Sequence, residues 1–340
     1  MREKIILGKT GIEVTRFGFG GIPIQRVDER QAVETVMHAI GRGVDFIDTA
    51  RAYSTSESRI GIALREAGKK VVLASKSPQR SADGIRKDIE QSLRELQRDS
   101  IDLYQCHFVR DRDDYRAITT KGGALEGLEK ARHEGLIRHV GITSHSLDLL
   151  EIAIDDSLFE TLMVCYSFLE PKAEEAVIPR ALAKGMGVIA MKSLSGGVID
   201  NARLAVKYAL AMKGTVIIPG VESRELFDRN WDVFLEGGDI TDEESAEIEA
   251  TRERFGKKFC RRCDYCQPCP EEIPIQTVLG IKSVVRRMGS RILREGWQKE
   301  AIEKARNCTV CGQCMERCPY DLPIPDLIQE NIEWFDEQSR

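Results

Sequence analysis

Two sets of residues in this 340-residue chain have the types and spacing that chemistry requires. The first set is an acid, a phenol, an ammonium and an imidazole. Asp48 ends the apolar run VDFID, Tyr53 follows five residues on, Lys76 closes KVVLASK, and His107 comes directly after DLYQC. Taken singly, each has an ordinary structural reading: a helix cap, a packing ring, a solvated cation, a loop histidine. Together, at the ends of successive apolar runs, they are the parts of a proton-transfer site. The second set is cysteine. Eight of the ten cysteines crowd into residues 260 to 318, in CRRCDYCQPCP and CTVCGQCMERCP. That crowding, in a chain whose start lacks an apolar export signal, reads as metal ligation rather than disulfide bonding. Cys106 and Cys165 lie inside apolar runs and read as buried, inert thiols.

The elements that position the first set repeat a single unit. From residue 16 to 230 an amphipathic helix, a glycine and a short apolar strand recur. The strands are RFGFG, VDFID, KVVLAS, DLYQC, HVGIT, TLMVCY, GVIAM and TVIIP. The first helix shows the pattern, with Asp28 as N-cap, Gln31 three residues on, Val33, Val36, Met37 and Ile40 on one face, and Gly41 at its exit. Strands that alternate with helices run parallel, and eight such units close into a barrel, with an open doubly wound sheet as the rival arrangement. In a barrel the chemistry gathers at the C-terminal ends of the strands, where all four residues of the first set fall. Ahead of the first unit, IILGKTGIEV predicts a hairpin turning at Lys9, Thr10 and Gly11 that could plug the barrel floor.

These segments resemble the aldo-keto reductases. GVDFIDTARAY, VVLASKSP and DLYQCHFV are similar to that family's catalytic segments, and LGKTGIEVTRFGFGG to its amino-terminal hairpin and first strand, a likeness covering about residues 4 to 255. The resemblance implies a TIM (β/α)8 barrel, an NADP(H) cofactor and reversible reduction of an aldehyde or ketone. Hydride added to a carbonyl carbon leaves an alkoxide, so a proton donor must stand beside that oxygen in a dry pocket. Tyr53 is the candidate donor. A free phenol, with a pKa of about 10, yields its proton reluctantly, and an adjacent ammonium favours the phenolate. Lys76 supplies that charge, Asp48 holds Lys76, and a neutral His107 orients the carbonyl oxygen.

The resemblance also implies a cofactor site. Thr143 and Ser144 match the pair that contacts the nicotinamide carboxamide, and Met191 stands where the ring is stacked. Ser193, Ser195 and Gly196 in SLSGG, with Gly21 and Gly220, fall in segments that surround the nucleotide. Asn230 occupies the adenine side, and Arg224, with Arg229 behind it, is the candidate for a 2′-phosphate. One departure is Met163, which stands where many members carry a carboxamide-binding glutamine.

The cysteine tail is an internal duplication, since CPEEIPI and CPYDLPI continue the likeness past each fourth cysteine. The runs resemble bacterial two-cluster ferredoxins, in which the fourth cysteine of each run ligates the other run's cluster. Carried over, one 4Fe-4S cluster takes Cys260, Cys263, Cys266 and Cys318, and a second takes Cys308, Cys311, Cys314 and Cys269. The first run departs from the pattern in having two residues, not three, before its fourth cysteine. Zinc in two four-cysteine sites is the alternative.

The expected architecture is therefore a barrel over residues 1 to 235, a linker helix over 236 to 257 and a small α-helical ferredoxin-like domain over 258 to 340. A formal charge of −5, from 50 basic and 55 acidic residues, gives no reason to expect nucleic acid. No apolar run approaches the roughly 20 residues of a membrane span. The expectation is a cytoplasmic oxidoreductase with a small carbonyl or alcohol substrate and, through its clusters, a possible redox partner protein. A nicotinamide-binding redox sensor is the competing reading.

Overall fold

The structure is a computed structural model that describes residues 3–262, 264–318 and 320–338. It divides into two units, Met1–Leu194 with Asn201–Ile240, and Ser195–Asp200 with Thr241–Arg340.

In the first unit β1 (Lys4–Ile6) and β2 (Glu13–Thr15) pair antiparallel, with Lys4 opposite Thr15. The turn passes through a short 3-10 stretch, Gly8–Thr10, and Gly11 at φ 70°, a left-handed conformation that glycine adopts without steric cost. Eight strands follow: β3 (Phe19–Gly20), β4 (Phe46–Asp48), β5 (Val72–Ser77), β6 (Ile101–Cys106), β7 (Ile137–Thr143), β8 (Thr161–Cys165), β9 (Gly187–Met191) and β10 (Thr215–Ile217). They lie side by side in chain order and all neighbours are parallel. Parallel bridges from Phe17 to Ile217 and from Gly20 to Gly220 join the first strand to the last and close the ring. This is the expected (β/α)8 barrel, with every expected strand present.

Helices return the chain between strands: α1 (Glu29–Arg42), α2 (Ser56–Ala67), α3 (Ala82–Leu96), α4 (Arg112–Thr119), α5 (Ala124–His133), α6 (Leu147–Asp156), α7 (Val177–Ala183), α8 (Ala202–Ala211) and α9 (Arg224–Glu236). The Asp28 side chain caps α1 by accepting from Gln31 N at 2.8 Å. The exit differs from expectation. Gly41 lies within the helix, and Gly43, at φ 112°, ends it by donating its N–H to the carbonyls of Ala39 and Ile40.

The barrel interior is filled by Phe46, Ala74, Leu103, Met163, Ile189 and Val216, together with Leu7 and Val14 from the hairpin. Lys9 N donates to Gly185 O at 2.6 Å, two residues before β9 begins, so the hairpin plugs the N-terminal floor. Chemistry is thereby confined to the opposite mouth.

The regular elements of the second unit's described residues are helices: α10 (Asp242–Gly256), α11 (Ile275–Met288), α12 (Trp297–Ala305), α13 (Gln313–Glu316) and α14 (Ile324–Gln338), with a short 3-10 turn at Ser290–Leu293. A reciprocal Thr241–Glu244 capping box starts α10. Val278, Ile281, Ile302, Ile324, Ile328 and Phe335 belong to its core, against which six of the cysteines pack or within which they lie. Within this unit Gly196 O accepts from Ser283 Oγ at 3.2 Å and Gly197 O from Arg286 Nη1 at 2.7 Å. Among the described residues no helix is long and apolar enough to cross a membrane.

Candidate functional site

Asp48 is the last residue of β4, and Lys76 lies near the end of β5, which pairs with β4 in parallel. Their side chains meet: Lys76 Nζ donates to Asp48 Oδ2 at 2.6 Å and to Thr49 O at 2.8 Å, with both residues at most 2% exposed. An isolated charge would be costly at that depth, and the pairing with a second hydrogen bond offsets the cost. Burial opposes the Lys76 charge, but Asp48 and the Tyr53 phenol outweigh it and its pKa is raised. Position 76 is held as an ammonium.

Tyr53 reaches this ammonium from the loop between β4 and α2. The turn is tied by Tyr53 N to Ala50 O at 3.0 Å, Ser56 N to Tyr53 O at 2.7 Å and Arg51 N to Lys76 O at 3.0 Å. Beneath it, buried Glu57 pairs with Arg51 and accepts from Ser75 Oγ at 2.5 Å. Lys76 Nζ lies 5.2 Å from the Tyr53 ring centre, and the Tyr53 and His107 rings stand edge to face at 5.7 Å. The four residues read from the sequence are thus brought to one place.

His107 follows β6. Burial pushes its pKa well below the ordinary histidine value, and the positive charges of Lys76, Arg80 and Lys192 push it further the same way. Its imidazole is neutral around pH 7 and retains one N–H to donate. The same burial pushes the Cys106 thiol up to about 12, which makes it the inert thiol expected.

The residues matched to a cofactor are distributed less simply. Thr143 Oγ1 accepts from Phe108 N at 2.7 Å, while Ser144 Oγ donates to Val109 O at 2.6 Å and accepts from Ser146 N at 3.0 Å. Both hydroxyls therefore already hold the turn that carries His107. Met191 ends β9, half-buried, and Ser193 beside it is 1% exposed with an Oγ that has no hydrogen-bond partner. A buried hydroxyl without a partner fits a ligand that supplies one. Met163 is packed inside the barrel at 1% exposure and offers no polar group there. Gly21 has its own structural reason: a Cβ would stand 2.8 Å from Asp48 O and 2.9 Å from Ser56 Oγ. Gly220 joins the barrel closure, where a Cβ would meet the Pro23 ring at 2.8 Å. Asn230 is buried within α9, whereas Arg224 at the start of that helix is exposed and 3.8 Å from Glu34; Arg229 is exposed too. Ser195 and Gly196 belong to the second unit.

Sequence reasoning missed Arg80, Gln105 and Lys192. Gln105 Nε2 lies 3.5 Å from Asp48 Oδ1, and Lys192 Nζ is 2.9 Å from His145 Nε2. Gln105 occupies the position across from Lys76 on β6, so the strand alternation could have placed it in the interior. Lys192 directly follows Met191 and had the signal of position alone.

In the second unit two cavities are lined by cysteine. One has Cys269, Cys308, Cys311 and Cys314 in its wall, with Pro268, Ile273, Ile275 and Ile328 among the apolar remainder. The other has Cys260, Cys266 and Cys318, with Leu279, Leu322 and Ile324. Cys263 lies outside the described residues. Each cavity draws cysteines from both runs. Among the described residues no three His, Cys, Asp or Glu side chains converge tightly enough around one ion. Four thiolates in one wall fit a cube, whose separate irons each take one sulfur.

Residues 14–203 match the aldo/keto reductase family and residues 259–323 match a 4Fe-4S dicluster domain. The chain belongs to the aldo/keto reductase family and carries a carboxyl-terminal 4Fe-4S dicluster domain. It is similar to the aldo-keto reductase YhdN of Bacillus subtilis, at 31% identity over 218 residues, which are 58% of this chain and 64% of that one. It is also similar to L-galactose dehydrogenase of Arabidopsis thaliana, at 30% over 214 residues, 57% of this chain and 66% of that one. The chain thus spans just under two thirds of the length of these curated relatives. Its fold is shared with the aldo-keto reductase AKR11C1 of Bacillus halodurans in its holo form, with TM-score 0.64, 24% identity, and coverage of 74% of this chain and 96% of that one.

Proposed function

We propose that the protein is a cytoplasmic NADP(H)-dependent reductase of aldehydes or ketones, with Tyr53 as proton donor. The observation that carries this reading is the convergence of Asp48, Lys76, Tyr53 and His107 at the C-terminal mouth of the barrel. A bound nicotinamide supplies the hydride. Tyr53 Oη gives its proton to the substrate oxygen as negative charge develops there, and the Lys76 ammonium stabilises the phenolate left behind. Asp48 keeps that ammonium aimed by its 2.6 Å hydrogen bond, and His107 donates to the carbonyl oxygen to set its approach. Ser193, Met191, Asn230 and Arg224 bind the nucleotide, with Gly21 and Gly220 as backbone contributors and Thr143 and Ser144 acting through the His107 turn they hold.

The reading is tested by turnover of an aldehyde and ketone panel with NADPH under anaerobic conditions. Absence of NADPH oxidation across the panel, in protein that binds NADPH, defeats it and favours a nucleotide-binding sensor. Arg224→Ala is expected to weaken NADPH about tenfold and NADH less than about twofold, because only NADPH carries a 2′-phosphate for a guanidinium to pair with. Equal losses in a binding titration remove Arg224 from that role.

The cysteine cavities support two 4Fe-4S clusters, ligated by Cys269, Cys308, Cys311 and Cys314 and by Cys260, Cys263, Cys266 and Cys318. Because each set joins the two runs, the clusters brace the unit. Hydride carries two electrons and each cluster accepts one, so direct transfer from nicotinamide is unfavourable without a flavin. NADPH alone should leave the visible iron-sulfur absorbance of anaerobic oxidised protein unchanged, while dithionite bleaches it. Rapid bleaching by NADPH without flavin would instead make the barrel an electron source for the clusters and for a partner protein.

A further inference from the structure

We infer that Arg80 is a positioning residue for His107: its guanidinium clamps the backbone of the turn that carries the imidazole and so fixes where the ring projects. Arg80 lies in the loop between β5 and α3, outside every segment used to read the site. Its Nη1 donates to His107 O at 3.0 Å, and its Nη2 donates to Phe108 O at 2.8 Å and to Asp114 Oδ2 at 3.0 Å. One planar fork therefore spans two successive carbonyls and an acid, a geometry that the guanidinium can make and an ammonium cannot.

The turn needs holding. Phe108 sits at φ 51°, in the left-handed region that a residue with a Cβ adopts only at a cost. On one side it is fixed from the end of β7, where Thr143 Oγ1 accepts from Phe108 N, Thr143 O accepts from Val109 N at 2.9 Å, and Ser144 Oγ donates to Val109 O. On the other side it is fixed by Arg80. Asp114 anchors the guanidinium in turn and also accepts from Arg110 Nε at 2.9 Å. Burial disfavours the Asp114 charge, yet the Arg110 and Arg80 hydrogen bonds hold it well below the usual carboxylate range. The anchor stays ionised at working pH.

The charge on Arg80 has a second effect. The charged and titratable groups around His107 are Lys76 and Tyr53 from the β4–β5 side, Arg80 with Asp114, and Lys192 after β9. His145 packs its ring 4.6 Å from Phe108. Arg80 is one of the three cations that keep the imidazole neutral. Geometry and charge can be separated by substitution, since lysine retains the charge and loses the fork, and methionine loses both.

The catalytic part of this role rests on the proposed function of His107, whereas the placement of the ring does not. The test uses full-length protein with its clusters, kept anaerobic. It compares Arg80→Met and Arg80→Lys by the pH titration of the His107 ring in NMR, NADPH affinity, and kcat and KM for the best carbonyl of the panel. Arg80→Met is expected to raise KM for the carbonyl about tenfold, to move the His107 titration toward higher pH, and to change NADPH affinity less than about twofold. Arg80→Lys should keep the titration near wild type and still raise KM. If Arg80→Met leaves both the ring titration and KM unchanged, the inference is wrong. It is equally wrong if carbonyl KM and NADPH affinity worsen together as Tm falls, which is a purely structural role. Should Arg80→Met not fold, Asp114→Asn loosens the same guanidinium and must raise carbonyl KM by a smaller factor while leaving NADPH affinity unchanged, and the absence of that rise overturns the proposal. If wild-type protein reduces no carbonyl, the proposed function fails, and the ring titration still decides the placement.

Discussion

Tyr53→Phe is expected to lower kcat for carbonyl reduction by about 10²- to 10⁴-fold while leaving NADPH affinity unchanged. The substitution removes one oxygen and keeps the ring, so the edge-to-face contact with His107 at 5.7 Å and the packing of the turn persist. The turn itself is held by backbone hydrogen bonds of residues 50 to 56 and by the Arg51–Glu57 pair, none of which uses the hydroxyl. What disappears is the proton donor beside the substrate oxygen. The Lys76 ammonium cannot take its place readily, because two of its protons are held by Asp48 at 2.6 Å and Thr49 O at 2.8 Å. An interaction made only in the transition state shows in kcat and not in nucleotide binding. Single-turnover kinetics with saturating NADPH, alongside a fluorescence titration of the nucleotide, provide the check. Wild-type kcat in the variant would sink Tyr53 as donor, and joint loss of binding and rate would point to a collapsed loop.

The barrel could be read because the parallel-strand grammar leaves a double signature: continuous apolar runs, and helices with caps at their starts. Asp28 and Gln31 mark one such start, and the structure places the cap there. The same helix ends two residues beyond the expected Gly41, since Gly41 and Gly43 are equally good candidates until the chain's path into Val44 selects the left-handed one. Strand-end residues were legible for the same reason as the strands. Asp48 and Lys76 are charged residues in runs that otherwise bury, and each needs an explanation that only the other supplies. Arg80 left no such mark. Its partners are the main-chain oxygens of His107 and Phe108, which every residue type carries, so no pattern of side chains announces the contact. Thr143 and Ser144 were found by resemblance, but their partners were not, because hydroxyls can serve a ligand or the neighbouring backbone and the sequence is silent on which. The assignment of residues 195–200 to the carboxyl-terminal unit was equally hidden, as it depends on contacts such as Arg286 to Gly197 that span 89 positions.

Cys269→Ser is expected to remove one of the two proposed clusters, reducing iron and acid-labile sulfide in anaerobically purified protein by about half, because a cube that loses a thiolate ligand loses its hold on one iron. In sequence this cysteine departs from the ferredoxin spacing, with two residues rather than three separating it from Cys266. The structure nevertheless places it in the wall of the cavity formed by Cys308, Cys311 and Cys314, while Cys266 lines the other cavity with Cys260 and Cys318. Two adjacent members of one run thus face different sites. The intervening Gln267 serves that division: its Oε1 accepts from Cys269 N at 2.7 Å and its Nε2 donates to Ile273 O at 2.8 Å, which turns the chain within the shortened spacing. If Cys269 is a ligand, Cys269→Ser and Cys308→Ser should lose the same cluster and yield the same residual electron paramagnetic resonance signal after dithionite, and the double variant should lose no more iron than either alone. Cys318→Ser should remove the other signal. Retention of full iron in Cys269→Ser would show that the cavity's fourth iron is held by a different group. Loss of different clusters in Cys269→Ser and Cys308→Ser would show that the runs do not exchange ligands.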